Sequence, residues 1–327
     1  MRQKMNTAEH NVKIDVIKGI SMFSVICAHC NSVATDAPSI VQVQSCLIAN
    51  LGTYGVITLF IVSGYLFHGK NLAYVKKKVM RILPAWIISG TVVFLYVYLR
   101  KPPVLFHEYL KYLIGQGSYL YYLPMLILFY LLFTISFFRR TAVLISLILV
   151  GLIYSCANYA KIGGAVSQYL IPLHWIQYFS LGILIQQNTI RTRIFNSDIR
   201  NTLIGPLLFI SIIVILSFKQ VRIGYWGHAD PMIGLLGSLT ALALSNIVKG
   251  GLLRTASLSG RQSLFIYLWH MPVAGVVAWG MNHGALQYFI FLRPFIVLGF
   301  MFIIQLGMQY FGKMRLQKVL SIIGFFT

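Results

Sequence analysis

Apolar residues recur along this chain in blocks of about twenty, the length an α-helix needs to cross a bilayer core. The blocks fall at 13–33, 47–68, 79–100, 119–138, 141–158, 168–187, 203–219, 231–249, 262–281 and 287–311. Short polar and basic segments separate them. The pattern predicts an all-α, polytopic integral membrane protein of about ten transmembrane helices. No soluble block lies before, between or after them, so a single membrane domain over 1–327 is expected. The opening segment MRQKMNTAEHNV is polar, and the first apolar run continues without a small-residue cleavage site. A retained first helix is expected, not a cleaved signal peptide.

Composition agrees. Hydrophobic residues make up 58%, charged residues only 10%, and mean hydropathy is +0.77. A soluble domain carries roughly 25% charged residues. The net charge of +21 raises nucleic acid as a partner, but its distribution excludes it. With the N-terminus in the cytoplasm, the inside segments hold Arg2, Lys4, Lys13 and Lys18, then Lys70, Lys76, Lys77, Lys78 and Arg81, then Arg139 and Arg140. Arg191, Arg193, Arg200, Lys249, Arg254, Arg261, Lys313, Arg315 and Lys318 follow. Only Arg100, Lys101, Lys111, Lys161, Lys219, Arg222 and Arg293 fall elsewhere. This is the positive-inside pattern, with both termini cytoplasmic. Anionic membrane lipids are the expected partners of that charge.

Ionisable residues inside spans are costly and mark functional sites. The first span holds Asp15, Lys18 and His29. Asp15 and Lys18 are three apart and can pair on one helix face. Lys18 and His29 are eleven apart, three turns or roughly 16 Å along one face. Lys18 then sits near the cytoplasmic entrance and His29 towards the outer half. Cys27 and Cys30 flank His29, but with no second ligand pair nearby they read as small buried thiols, and no metal site is expected.

The second span ends in Ser63-Gly64, which lets a helix or a ligand approach its backbone closely. Lys78 and Arg81 share a face at the start of the third, where two cations by a helix N-terminus suit phosphate. Arg81 is expected to reach deeper. His270 lies deep in the ninth span, two residues before Pro272, which weakens the helix there. His174 follows Pro172 and is expected at the interface. Two outer loops, 101–118 and 219–230, are long; the second mixes Tyr225, Trp226, His228 and Asp230. That mixture fits a sugar-facing loop and an ordinary solvated loop equally well.

These segments resemble acyltransferase family 3, the membrane O-acyltransferases of bacterial surface glycans. Asp15-Val16-Ile17-Lys18 running on to His29 is similar to the family's opening Asp-x-x-Arg…His pattern. Phe60-Ile61-Val62-Ser63-Gly64-Tyr65 resembles its Phe-Phe-x-x-Ser-Gly-Phe segment, and Lys78-Val79-Met80-Arg81-Ile82-Leu83-Pro84 its Arg-x-x-Arg-Ile-x-Pro segment. Tyr121-Tyr122-Leu123-Pro124 resembles Trp-Tyr-Leu-Pro, and Ser263 through Tyr267-Leu268-Trp269-His270-Met271-Pro272 the closing Ile-Tyr-Leu-x-His-x-Pro. The segments occur in family order over nearly the full length. Lys18 and Lys78 stand where arginine is usual. Lysine keeps the charge but loses the bidentate fork.

The resemblance implies the stand-alone form, without an extra hydrolase-like domain, in the bacterial cytoplasmic (inner) membrane. It implies acetyl-CoA as co-substrate, with no bound cofactor. The acceptor would be a hydroxyl on a lipid-linked or exported glycan such as O-antigen or capsule. It implies His29 as the essential residue, Lys18, Lys78 and Arg81 as donor-binding cations, and Asp15, Ser63 and His270 in support. A sugar hydroxyl is a poor nucleophile at neutral pH, and an imidazole can take its proton as attack begins. The rival readings are a glycan polymerase or flippase, which would need no donor site, and a succinyl or N-acyl transferase of the same family.

Overall fold

The computed structural model describes residues 7–34, 36–67, 70–98, 106–157, 167–187, 199–282 and 284–311. Arg2, Lys4, Arg100, Lys101, Lys161, Arg191, Arg193, Lys313, Arg315 and Lys318 lie outside the described residues. Among the described residues the secondary structure is helical, without strands. The α-helices are α1 Thr7–His29, α2 Ser39–Leu51, α3 Gly55–Phe67, α4 Leu72–Tyr98, α5 Phe106–Leu113, α6 Tyr122–Leu132 and α7 Thr141–Cys156. They continue as α8 Ile176–Gln187, α9 Ile199–Phe218, α10 Asp230–Ile247, α11 Gly250–Arg261, α12 Ser263–Met281 and α13 Arg293–Phe311.

Five helical stretches among the described residues are long and apolar enough to cross a membrane: Ser39–Phe67, Leu72–Tyr98, Asp230–Ile247, Ser263–Met281 and Ala285–Met308. Tyr119–Leu132, Thr141–Cys156 and Leu203–Phe218 are apolar but shorter. The chain is a helical membrane protein. α1 is not among the five, because Lys13, Asp15 and Lys18 crowd its middle with charge.

Several predicted spans are subdivided. The run 47–68 is two helices parted at residues 52–54, where Ser24 Oγ donates to Leu51 O at 2.7 Å and Thr53 Oγ1 to Asn50 O. There Gly52 lies so close to the Ala28 backbone that a side chain would collide. The runs 119–138, 168–187 and 287–311 begin in 3₁₀ turns, Tyr119–Tyr121, Gln168–Leu170 and Gly284–Leu292. Pro272 does not interrupt α12, which is continuous from Ser263 to Met281. Two helices stand where no span is predicted. α5 lies in the segment 101–118, expected as an outer loop, and α11 in a segment expected as a basic inside connection.

The chain forms two compact units. Unit 1 comprises Met1–Val62, Thr189–Gly224 and Met232–Met301; unit 2 comprises Ser63–Asn188, Tyr225–Pro231 and Phe302–Thr327. In unit 1, α11 packs along α1 with backbone against backbone. A Cβ on Gly19 would run into the Ala256 carbonyl, and one on Gly260 into the Asp15 carbonyl. Close crossings of this kind need small residues. Tyr54, Phe209, Ile213, Ile223 and Ala241 form a core cluster, with the Tyr54 and Phe209 rings edge to face at 5.5 Å. The 219–224 segment is tied to α2. Asn50 Nδ2 donates to Ser217 Oγ and Val221 O, and Asn50 Oδ1 accepts from Ile223 N at 2.8 Å.

Unit 2 is built on aromatic contacts. Phe67, Tyr130, Phe133 and Phe179 stack or tilt against one another. Here the small residue of the Ser63-Gly64 pair does what its size predicts: a Cβ on Gly64 would meet the Phe179 carbonyl of α8. Tyr225 and Trp226 pack against Tyr169 and Trp175. These two rings of the 219–230 loop are therefore half-buried packing elements, a finding that favours neither loop reading.

Candidate functional site

In unit 1, His29 is the last residue of α1 and is half-buried. The helix is continuous from Thr7, so Lys18 and His29 do share one face. The His270 ring lies 5.1 Å from that of His29, centroid to centroid, at a tilt of 49°. His270 is fully buried in α12. Its Nδ1 lies 2.8 Å from Tyr267 O and 3.1 Å from Ile266 O. A carbonyl only accepts, so Nδ1 carries the proton, and in the neutral ring the lone pair is on Nε2. α12 thus holds a second imidazole, with a defined tautomer, beside the first. Cys27 and Cys30 are buried free thiols.

The Asp15–Lys18 pair forms as its spacing predicts, Lys18 Nζ donating to Asp15 Oδ1 at 3.2 Å. Arg261 Nε of α11 donates to Asp15 Oδ2, also at 3.2 Å. Asp15 therefore sits between two cations. The sequence places Arg261 in a basic connection and offers no sign of this contact, because it depends on α11 being a helix laid against α1. A second residue was missed with less excuse. Arg293 is fully buried at the start of α13, inside the apolar stretch Ala285–Met308. An ionisable residue within the predicted span 287–311 carried the signal.

In unit 2, Ser63 Oγ and Tyr122 OH are 3.2 Å apart and hydrogen-bonded, which joins the Ser-Gly and Tyr-Leu-Pro segments. Lys78 is half-buried on α4, with Nζ 5.7 Å above the Tyr74 ring, while Lys70 Nζ lies 5.4 Å from the same ring. Arg81 is exposed. His174 is buried within unit 2. Its Nδ1 contacts Ser155 Oγ at 3.2 Å and its ring lies 4.8 Å from Trp226. The ring contacts of unit 2 remove it from water, which its neighbours in sequence do not reveal.

A family model described as an acyltransferase domain matches residues 11–324. The chain belongs to that family, acyltransferase family 3. It is a multi-pass membrane acyltransferase. No curated protein and no solved structure matches it.

Proposed function

We propose that this acyltransferase moves an acetyl group from cytoplasmic acetyl-CoA to a hydroxyl of a cell-surface glycan or its lipid-linked precursor. The observation that carries the catalytic assignment is the His29–His270 pair. His29 takes the hydroxyl proton as the oxygen attacks the thioester carbonyl carbon. The C–O bond forms, the C–S bond breaks, and the CoA thiolate leaves and recovers the proton from the imidazolium. His270 acts as a positioning residue. With Nδ1–H spent on carbonyls, its Nε2 lone pair is suited to accept from one nitrogen of His29 and so to direct the other at the acceptor. A centroid separation of 5.1 Å permits such a contact.

Lys18, Lys78 and Arg81 are assigned to the phosphates of the donor on grounds of charge and family resemblance, and Asp15 holds Lys18. Ser63 supports unit 2 through Tyr122. The proposal includes about ten spans in one membrane domain and both termini in the cytoplasm of a bacterial inner membrane, as the positive-inside distribution supports.

The test uses the full-length protein in vesicles with labelled acetyl-CoA and glycan from a deletion strain. Label should pass to the glycan, and mass spectrometry should show the deletion strain's glycan lighter by acetyl. His29→Ala should reduce transfer by about 10²-fold or more, and His270→Ala should lower kcat rather than raise the KM for acetyl-CoA. No transfer, with altered glycan chain length instead, would sink the reading in favour of a polymerase or flippase. A mass difference of succinyl would replace the acetyl group.

A further inference from the structure

Arg293 is the cation that the proposed chemistry leaves unused. It is fully buried in an apolar stretch, where an ionised side chain is retained only if its charge is met. Its Nη1 donates to Ser32 O and its Nη2 to Asn282 Oδ1 at 2.7 Å. Both acceptors are neutral. Among the described residues its buried Nε has no hydrogen-bond partner. Among the described residues no carboxylate forms an ion pair with it. A clamp between two loops needs hydrogen bonds, which an uncharged amide supplies without burying a charge. Among the described residues the charge and the remaining donor therefore meet no counterpart.

Its position points to one. Ser32 is three residues beyond His29, and Asn282 directly follows α12, which carries His270. Arg293 thus ties together the ends of the two histidine-bearing helices. A second arginine reaches the same place. Arg222, exposed in the 219–224 segment, donates from Nη2 to Ser45 Oγ at 3.0 Å, and Ser45 Oγ donates to Asn31 O. Asn31 and Ser32 are consecutive, so just past His29 Arg293 reaches one carbonyl directly and Arg222 reaches the adjacent one through Ser45 Oγ. Asp36, a few residues on, is exposed and makes no ion pair among the described residues.

We infer that the end of α1 in unit 1 is an anion-recognition site, in which Arg293, with Arg222 at its rim, receives an oxyanion carried by the acceptor. A guanidinium fork suits a carboxylate or a phosphate and fixes its orientation. The inference rests on the proposed glycan acceptor and narrows it. The acceptor bears either an acidic sugar, uronate or phosphorylated, or the diphosphate of a lipid carrier, and that group sets the register in which its hydroxyl meets His29.

The experiment measures binding to the full-length protein in phosphatidylcholine vesicles, without acetyl-CoA, by tryptophan fluorescence. The probes are a glucuronate-containing trisaccharide, inorganic pyrophosphate and a neutral glucose trisaccharide. An acidic probe should bind at least tenfold tighter than the neutral one. Arg293→Gln should abolish that preference, Arg293→Lys should restore part of it, and Arg222→Gln should weaken it a few-fold. Preference for the uronide assigns the acid to the sugar, and preference for pyrophosphate assigns it to the carrier. Equal binding of all three probes, no binding of any, or an Arg293→Gln protein that melts earlier but keeps its anion preference overturns the inference. If Arg293→Gln does not fold, unchanged preference in both Arg293→Lys and Arg222→Gln overturns it. Binding is measured without acetyl-CoA, so a failure of the proposed chemistry is read separately in the transfer assay.

Discussion

α1 in unit 1 and α4 in unit 2 each carry charged residues three apart on the helix, yet their surroundings differ. On α1, Lys18 is held by Asp15, which also binds Arg261, and both side chains of the Asp15–Lys18 pair are largely withdrawn from solvent. On α4, Arg81 is exposed and Lys78 lies over the Tyr74 ring. The difference follows from scarcity. The chain has 6 acidic residues for 27 basic ones, so a carboxylate placed beside a cation is a local commitment. Asp15 shares one negative charge between two cations, and the cluster keeps one net positive charge. The α4 cations suit a polyphosphate from outside the chain. Unit 1 uses charge to fix helices, and unit 2 presents it.

The largest effect should come from breaking the fixed side. Gly260→Leu places a side chain where the Asp15 carbonyl already sits. Backbone cannot yield as a side chain does, so the cost should exceed about 3 kcal/mol, seen as loss of the monodisperse protein in detergent. Gly280→Ala, which would meet nothing within 4 Å, is the control and should leave the melting temperature within a degree or two of wild type, about the effect of a few tenths of a kcal/mol. The presented side should respond in binding instead. Lys78→Ala and Arg81→Ala should each raise the KM for acetyl-CoA about tenfold, the loss of one charge-assisted contact, with thermal stability unchanged. Lys78→Arg should restore it. A loss of stability in both variants would mean that α4 uses its charges as α1 does.

Smaller effects sharpen the contrast. Ser63→Ala and Tyr122→Phe each remove the hydrogen bond between these two side chains within unit 2, and its loss should cost about 1 kcal/mol. The double variant should cost little more than either single one, because both remove the same bond. The smallest effect belongs to Glu108. Lys111, and then His107, hold this exposed carboxyl below its usual value of 4.5. A depressed carboxyl supports the folded state above the ordinary pKa and loses that support as pH falls through the lowered one. Acid melting curves of wild type and Glu108→Gln should therefore converge below pH 4.5, with a difference at neutral pH close to the limit of detection.

Much of the site was legible because its elements are local. Asp15, Lys18 and His29 share a face of one helix, and helical periodicity alone gives that. Gly64 announced a close approach because only a residue without Cβ allows one, although nothing in the sequence named Phe179 as the partner. His270 stood out as a histidine in an apolar run, but its distance from His29 depends on how α12 packs against α1. α11 was read as a connection because its apolar content is low, and yet it forms one of the closest helix contacts of unit 1. The exposure of Arg81 and the burial of His174 were likewise set by neighbours distant in sequence.

By itself, then, the sequence determined that the chain is helical and membrane-embedded, where its cations lie along the chain, and which family it resembles. Those properties follow from composition and short-range spacing, since a lipid-facing helix satisfies its backbone within its own segment. Only the tertiary structure decided that Asp15 answers to Arg261, that His29 has His270 beside it, and that Arg293 closes the end of α1. Each of these joins residues more than two hundred positions apart, and no local propensity encodes a contact whose free energy exists only once the helices have packed.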